Sequence, residues 1–403
     1  MRKIAIVFLT ILSNIQCSSK NNLNAPTSGE KKDSLSGTIN HQSVRVGADQ
    51  LDILIAKLAG KRVALVVNNT SRVGRTHLID TLKTYHINLT KIFAPEHGFR
   101  GNAADGEHIN DSIDQKTGTL IVSLYGKERK PTPRQLSNVD VVIFDIQDVG
   151  ARFYTYISTM HYVMEACAEN GKDLIILDRP NPNGSYIDGP ILQPQFKSFI
   201  GMHPIPIVHG LTVGELAQMI NGEGWLEGAK KCNLDIIKIK NWTHADDYSL
   251  PVRPSPNLPN DQAIKLYPSL CLFEGTVISV GRGTQIPFLV LGNPELKKLE
   301  FQFTPVSIKG MSTNPPYENK VCYGIDLRNA VVAKKINLTY LIDFYHAYPD
   351  KEKFFVSYFD KLAGTAILKQ QIKDGLTEEQ IHDSWKKDLD AYGSMRNKYL
   401  LYP

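Results

Sequence analysis

Between residues 62 and 178 the chain returns five times to a short apolar run that stops at, or just before, Pro, Gly, Asn or Asp. The runs are Arg62–Asn68, Leu89–Ala94, Thr119–Leu124, Val139–Ile146 and Asp173–Asp178. Unbroken apolar runs of this length suit strands buried on both faces, as in a parallel sheet. Helical spacing separates them. Thr76 to Tyr85 is one such stretch, and Tyr154 to Asn170 is another, stopped by Gly171. Thr212-Val213-Gly214-Glu215 is a capping box opening a further helix that ends near Gly222. Strands alternating with helices predict an α/β fold, a Rossmann-like doubly wound parallel sheet.

Past Cys232 the texture changes. Leu234–Ile239, Thr276–Val280, Phe301–Ile308 and Val321–Leu327 read as strands, separated by Pro251–Pro259 and Pro315-Pro316. A second capping box, Thr377 to Gln380, precedes Ile381, Trp385, Leu389 and Tyr392, whose spacing makes one apolar stripe for core packing. With 403 residues the chain is long enough for two cores. We expect a Rossmann-like domain over 44–230 and a smaller C-terminal mixed α/β domain over 231–403.

The start is of another kind. Met1-Arg2-Lys3 gives a positive end, and Ile4 to Leu12 an apolar run too short to span a bilayer. Cys17 follows, then a Ser/Lys/Asn-rich tract. This order reads as a signal peptide over 1–16 and a flexible tether over 17–43, with Cys17 as a lipidation site. The residues before Cys17, Asn14-Ile15-Gln16, depart from the usual Leu-small-small pattern, and plain secretion is the competing reading. Either reading exports the protein, to the periplasm or as a lipoprotein anchored in the outer membrane.

The net charge of +5 falls to +3 (5 − 2) once Arg2 and Lys3 leave. Such a surplus, without clustering on one face, does not point to nucleic acid. Cys167, Cys232, Cys271 and Cys322 sit among apolar residues at no metal-ligand spacing, so buried free thiols and no metal are expected. The turn after the first strand, Asn69 to Gly74, carries no G-x-G-x-x-G, and no G-x-x-x-x-G-K-[ST] occurs. No cofactor is therefore expected.

Ligands of open parallel sheets bind beyond the carboxyl ends of the strands. Those ends carry Glu96, His97 and Arg100, then Tyr125, then Asp145, Gln147, Asp148, Arg152 and Tyr154, then Arg179 and Asn181. The later half adds Asn257 in a rigid Pro-rich stretch, Glu274 in an apolar run, Thr276, and Arg282 between two glycines. His209 is a further substrate-binding candidate. Carboxylates, amides, Tyr and Arg without a nucleophile elbow suit sugar chemistry, in which a carboxyl group protonates the glycosidic oxygen. Glu96 is the best candidate for that acid. Glu274, Asp148 and Asp145 are candidates for the second carboxyl.

The segments Pro95-Glu96-His97-Gly98, Phe144 to Tyr156 and Leu177 to Pro182 resemble the exo-β-N-acetylmuramidase (NamZ) family, glycoside hydrolase family 171. Asp188-Gly189-Pro190, Pro256 to Pro259, Phe273 to Thr276, Gly281 to Thr284 and Tyr399 to Tyr402 continue the match in order. The resemblance implies a Rossmann-like domain with a smaller C-terminal one, a cleft between them, and release of N-acetylmuramic acid from the non-reducing end of peptidoglycan fragments. It implies Glu96 as the prime catalytic carboxylate. The lactyl carboxylate of muramic acid calls for an arginine fork, for which Arg152, Arg179 and Arg282 are candidates. The partners expected are muropeptides. The alternative is a surface-anchored lipoprotein that binds muropeptides without cleaving them. An acyl hydrolase ranks last, for want of an activated Ser or Cys.

Overall fold

The computed structural model describes residues 43–96, 98–99, 112–126 and 128–403. His97, Arg100 and Cys17 lie outside the described residues, as do the signal segment and nearly all of the tether.

The centre of the fold is β1 (Arg62–Val67), buried at five of its six positions because neighbours cover both faces. It pairs in parallel with β4 (Asn88–Ala94) on one side and β7 (Val141–Asp145) on the other. Beyond β4 lies β6 (Leu120–Ser123), and beyond β7 lie β8 (Asp173–Leu177) and β9 (Asn233–Ile237), all parallel. A short β5 (Ser112–Ile113) runs antiparallel on the β6 edge, while β2 (Arg72–Val73) and β3 (Thr76–His77) form a separate hairpin. Counted along the chain, the six parallel strands stand in the order 3-2-1-4-5-6, the doubly wound Rossmann order.

Successive β1 side chains point to opposite faces. Val63, Leu65 and Val67 pack with α1 (Leu51–Leu58) and α2 (Leu78–Thr84). Ala64 and Val66 share the other cluster with α4 (Tyr156–Asn170) and α5 (Val213–Gly222); α3 (Pro133–Leu136) is a single turn. Each buried Val, Leu or Ile contributes about 1.5–3 kcal/mol, so sheet order follows from runs that have no polar face. The helix ends are those expected: Gly171 closes α4 at φ 59°, and the Thr212–Glu215 capping box of α5 is present in both directions.

The later half departs from expectation, first at a helix and then at two of the expected strands, Thr276–Val280 and Phe301–Ile308, the latter reduced to Phe301–Phe303. The helix α6 (Asp261–Leu270), capped by the Asn260 side chain on the Ala263 N–H at 3.0 Å, sits in a stretch whose prolines, Pro268 included, hide its helical pattern. Thr276–Val280 forms only isolated bridges, Thr276 with Phe355 and Ser279 with Gly292, rather than a continuous strand. Thr276 Oγ1 donates to the Phe273 carbonyl at 2.8 Å and accepts from the Ile278 N–H at 3.0 Å, a local turn that interrupts the ladder. An antiparallel sheet of β10 (Val290–Asn293), β12 (Cys322–Asp326) and β11 (Phe301–Phe303) stands in that order.

Then come α7 to α10 (Thr339–Ala347, Lys351–Phe354, Phe359–Ala363, Ile367–Lys373) and α11 (Glu378–Arg396). On α11, Ile381, Trp385 and Tyr392 join the α4-side core, and Tyr392 donates to the His209 carbonyl at 2.7 Å. The boundary expected at 230 thus precedes the sheet's last strand, β9, which pairs with β8 from Asp173↔Asn233 to Leu177↔Ile237. The α4-side core runs unbroken from Ala64 to Tyr392, and the described residues hold together as one compact unit. Cys167, Cys232, Cys271 and Cys322 are buried free thiols; the adjoining Cys232 thiol and burial push that of Cys167 well up.

Candidate active site

The crevice between β1 and β7, where strand order reverses, is filled by the chain's own polar groups. Asn68 Oδ1 accepts from the Thr70 N–H at 2.9 Å and the Thr70 hydroxyl at 2.6 Å, and the Ser71 hydroxyl donates to the Asp145 carbonyl. Arg179 grips both oxygens of Asp145, at 2.6 and 3.0 Å, with the two side chains 5% and 0% exposed. Behind them lies a second buried network. Gln147 donates to the Pro180 and Asp148 carbonyls at 2.7 and 2.8 Å, Asn181 to the Leu211 carbonyl at 2.9 Å, and Asp148 accepts from the Gly150 N–H at 2.7 Å. His209 is buried beside Asp148, 3.4 Å away. Gly150 lies at φ 78°, and a Cβ there would stand 2.2 Å from Asn181 Oδ1, so a glycine is required.

The open cavity lies to one side of this packing and has a volume of about 530 Å³. One wall comes from the carboxyl end of β4 and the start of α4. Glu96 follows β4 on a turn closed by the Gly98 N–H on the Pro95 carbonyl at 3.0 Å. Its Oε2 accepts from the Thr155 hydroxyl at 2.9 Å, and the Tyr156 hydroxyl lies 3.5 Å from its carbonyl oxygen. Tyr125 and Tyr154 stand on the same wall.

The facing wall comes from the later half. Arg282 Nε donates to Glu274 Oε1, the Cys271 thiol lies 3.6 Å from Glu274 Oε2, and the guanidinium stacks 5.2 Å above the Phe288 ring. Asn257 lines the cavity and donates to the Met311 carbonyl at 3.2 Å. Partial desolvation at the cavity wall raises the Tyr358 phenol above its usual range, and the nearby carboxylates Glu274 and Glu96 add to this. Tyr154 is raised likewise, first by burial and then by Tyr156, Asp148 and Glu96. Both phenols are therefore neutral donors near neutral pH. Among the described residues no group of three His, Cys, Asp or Glu is placed to hold a metal ion. Two carboxyl groups on different walls, neutral phenols, a guanidinium and aromatic faces form a site for polar rings with hydroxyl and acidic substituents.

Two family models cover nearly the whole described chain: Exo-beta-N-acetylmuramidase NamZ, N-terminal, over residues 63–262, and its C-terminal counterpart over 265–402. The chain belongs to the NamZ exo-β-N-acetylmuramidase family. It is 41% identical over 395 residues to the peptidoglycan β-N-acetylmuramidase NamZ of Bacillus subtilis (strain 168), covering 92% of this chain and 94% of that protein. Two crystal structures of DUF1343 family proteins from Bacteroides fragilis NCTC 9343 share the fold. One is 47% identical at TM-score 0.84 and covers 90% of this chain and 99% of its own. The other is 32% identical at TM-score 0.75, with 89% and 99% covered.

Of the residues singled out in the sequence of this NamZ family member, Glu96, Tyr125, Tyr154, Asn257, Glu274 and Arg282 meet at the cavity. Eight others do not line it. Asp145 and Arg179 neutralise each other in the core, and Gln147, Asp148, Asn181 and His209 brace loops. Thr276 closes its local turn, and Arg152 is fully buried on four backbone carbonyls. Sequence reasoning passed over Thr155, Tyr156, Tyr267 and Tyr358. Thr155 had a signal, a hydroxyl residue at a helix start with Ser158 rather than Glu or Gln three places on. Tyr156 lies in the same strand-end segment, two residues past Tyr154, whereas Tyr267 and Tyr358 had no signal, since long-range packing alone brings them in.

Proposed function

We propose that this chain is an exo-acting glycosidase that releases N-acetylmuramic acid from the non-reducing end of peptidoglycan fragments, with Glu96 as the general acid. The carrying observation is Glu96 itself, fixed by Thr155 in a cavity whose facing wall holds the Glu274–Arg282 pair, in a chain of this family. Glu96 protonates the glycosidic oxygen as the bond to the sugar breaks. Glu274 supplies negative charge to the oxocarbenium-like state, or the carbonyl oxygen of the substrate's own 2-acetamido group bonds to the anomeric carbon as the glycosidic bond breaks. Of the three arginines considered for the lactyl carboxylate, Arg282 lines the cavity whereas Arg152 and Arg179 are spent elsewhere.

The test is incubation of the purified protein with defined muramic-acid-terminated glycans and mass spectrometry of the products. Free N-acetylmuramic acid and a glycan shortened by that sugar are expected. Tight binding by calorimetry with no product would replace this reading by the non-catalytic muropeptide-binding one. We also propose export, with Cys17 as the point of lipid attachment. Replacing Cys17 with Ser should then move the protein from the membrane fraction to the soluble exported fraction. A parent protein already in the soluble exported fraction would leave secretion without an anchor, and a Cys17→Ser variant still in the membrane fraction would rule out Cys17 as the anchor.

A further inference from the structure

We propose that Thr155 is the positioning residue of the general acid: its hydroxyl assigns the two oxygens of Glu96 their separate tasks. The inference rests on the reading of Glu96 as that acid.

Thr155 occupies the N-cap position of α4, since the N–H groups of Ser158 and Thr159 donate to its carbonyl at 3.0 and 3.1 Å. A threonine at such a position ordinarily turns its oxygen back to accept from an N–H of the first turn. Thr155 does not. Its backbone is already helical (φ −72°, ψ −8°), it makes no side-chain cap, and its hydroxyl donates instead to Glu96 Oε2 at 2.9 Å. The helix forgoes a stabilising cap, and the donor is spent across the cavity wall.

Of the two partners, Thr155 is the one held rigidly. The Arg152 N–H donates to the Ile207 carbonyl at 2.7 Å, and the Tyr154 N–H to that of Ala151 at 2.8 Å. The Tyr154 ring meets Tyr156 and Tyr267 edge-on at 5.0 and 5.9 Å, and Phe153 meets Tyr267 at 5.3 Å. Glu96 stands on a turn beyond the strand. The fixed hydroxyl therefore orients the carboxyl group.

With Oε2 occupied as an acceptor, the proton to be delivered belongs on Oε1, which has no hydrogen-bond partner among the described residues. In the reaction that proton passes from Oε1 to the glycosidic oxygen, the bond from that oxygen to the anomeric carbon breaks, and the shortened glycan leaves as an alcohol. The negative charge left on Glu96 spreads onto Oε2, where the Thr155 hydrogen bond grows stronger as charge develops. Water later completes hydrolysis at the anomeric carbon.

Thr155→Val keeps the branched shape and removes the hydroxyl, whereas Thr155→Ser keeps the hydroxyl and removes the methyl. The expected result for Thr155→Val is a kcat lowered roughly 10- to 100-fold, the weight of a hydrogen bond to a charged group, with KM within about twofold. Thr155→Ser should recover most of the loss. The inference fails if Thr155→Val keeps full kcat while Glu96→Gln is inactive, or if Thr155→Ser is as slow as Thr155→Val, which would make packing the cause. A fully active Glu96→Gln would instead overturn the assignment of the acid on which this inference rests.

Discussion

Glu96→Gln is expected to lower kcat on a muramic-acid-terminated glycan by about 10²- to 10⁴-fold, the contribution of a positioned general acid. The amide oxygen can still accept the hydrogen bond that Thr155 makes to Glu96 Oε2 at 2.9 Å, so geometry is kept while the acidic proton is lost. Glu96 is half-buried at the cavity wall, and the melting temperature should not move. KM should stay within a few-fold, because the substitution removes an interaction made in the transition state rather than in the ground state. The choice of leaving group sharpens the test. A sugar leaving group needs protonation, whereas a dinitrophenolate leaves without it, so the deficit should shrink on an aryl muramide. Turnover by Glu96→Gln within a few-fold of the parent on the natural glycan would refute the assignment. An equal deficit on both substrates would leave Glu96 essential but not as the acid.

The position of Glu96 at the cavity was legible in the sequence because its signal is local: an apolar run that ends before Pro95 and presents the next residue at the carboxyl edge of a parallel sheet. The same logic predicts the sheet. Runs such as Val63 to Val67 have no polar face and are stable only when covered on both sides, as the two clusters flanking β1 show. Groups whose partners are distant in the chain could not be read this way. Asp145 and Arg179 also follow apolar runs, but they are 34 residues apart in the chain and neutralise each other where a ligand would otherwise enter. Tyr358 reaches the cavity through packing of the later half, which no spacing near it announces. Thr276 misled for the opposite reason. A β-branched residue in an apolar run reads as strand, yet its hydroxyl closes a turn on Phe273. Propensity and strand-end position specify which residue types arrive at an edge. Whether a charged group there meets substrate or its own backbone depends on contacts far along the chain.

Arg152 is the sharpest case, and its replacement carries the second large expected effect. A guanidinium placed after a strand end is a natural candidate for the lactyl carboxylate. It is instead fully buried. Nη1 donates to the Pro190 and Ile205 carbonyls, each at 2.8 Å, and Nη2 to those of Leu362 and Ala363, at 3.0 and 2.7 Å. Those partners lie 38, 53, 210 and 211 residues away in the chain, so one side chain pins two loops of the earlier half to α9 of the later one. Burial lowers its pKa to about 9, which still leaves it charged at neutral pH. Gly364 closes over it at φ 75°, where a Cβ would lie 2.5 Å from Nη2, so the pocket fits the guanidinium and little else. Arg152→Met fills similar volume but leaves the Pro190, Leu362 and Ala363 carbonyls without donors, each costing about 1–3 kcal/mol before water or local shifts relieve it, while the Ile205 carbonyl keeps the Leu192 N–H at 3.2 Å. The net loss should be about 3–5 kcal/mol, as when a buried polar network is broken. For a chain of this size that lowers the melting temperature by roughly 4–7 °C. At a temperature where the variant is folded, KM should stay within a few-fold of the parent, because the guanidinium does not reach the cavity. An unchanged melting temperature with a KM raised tenfold or more would return Arg152 to the substrate.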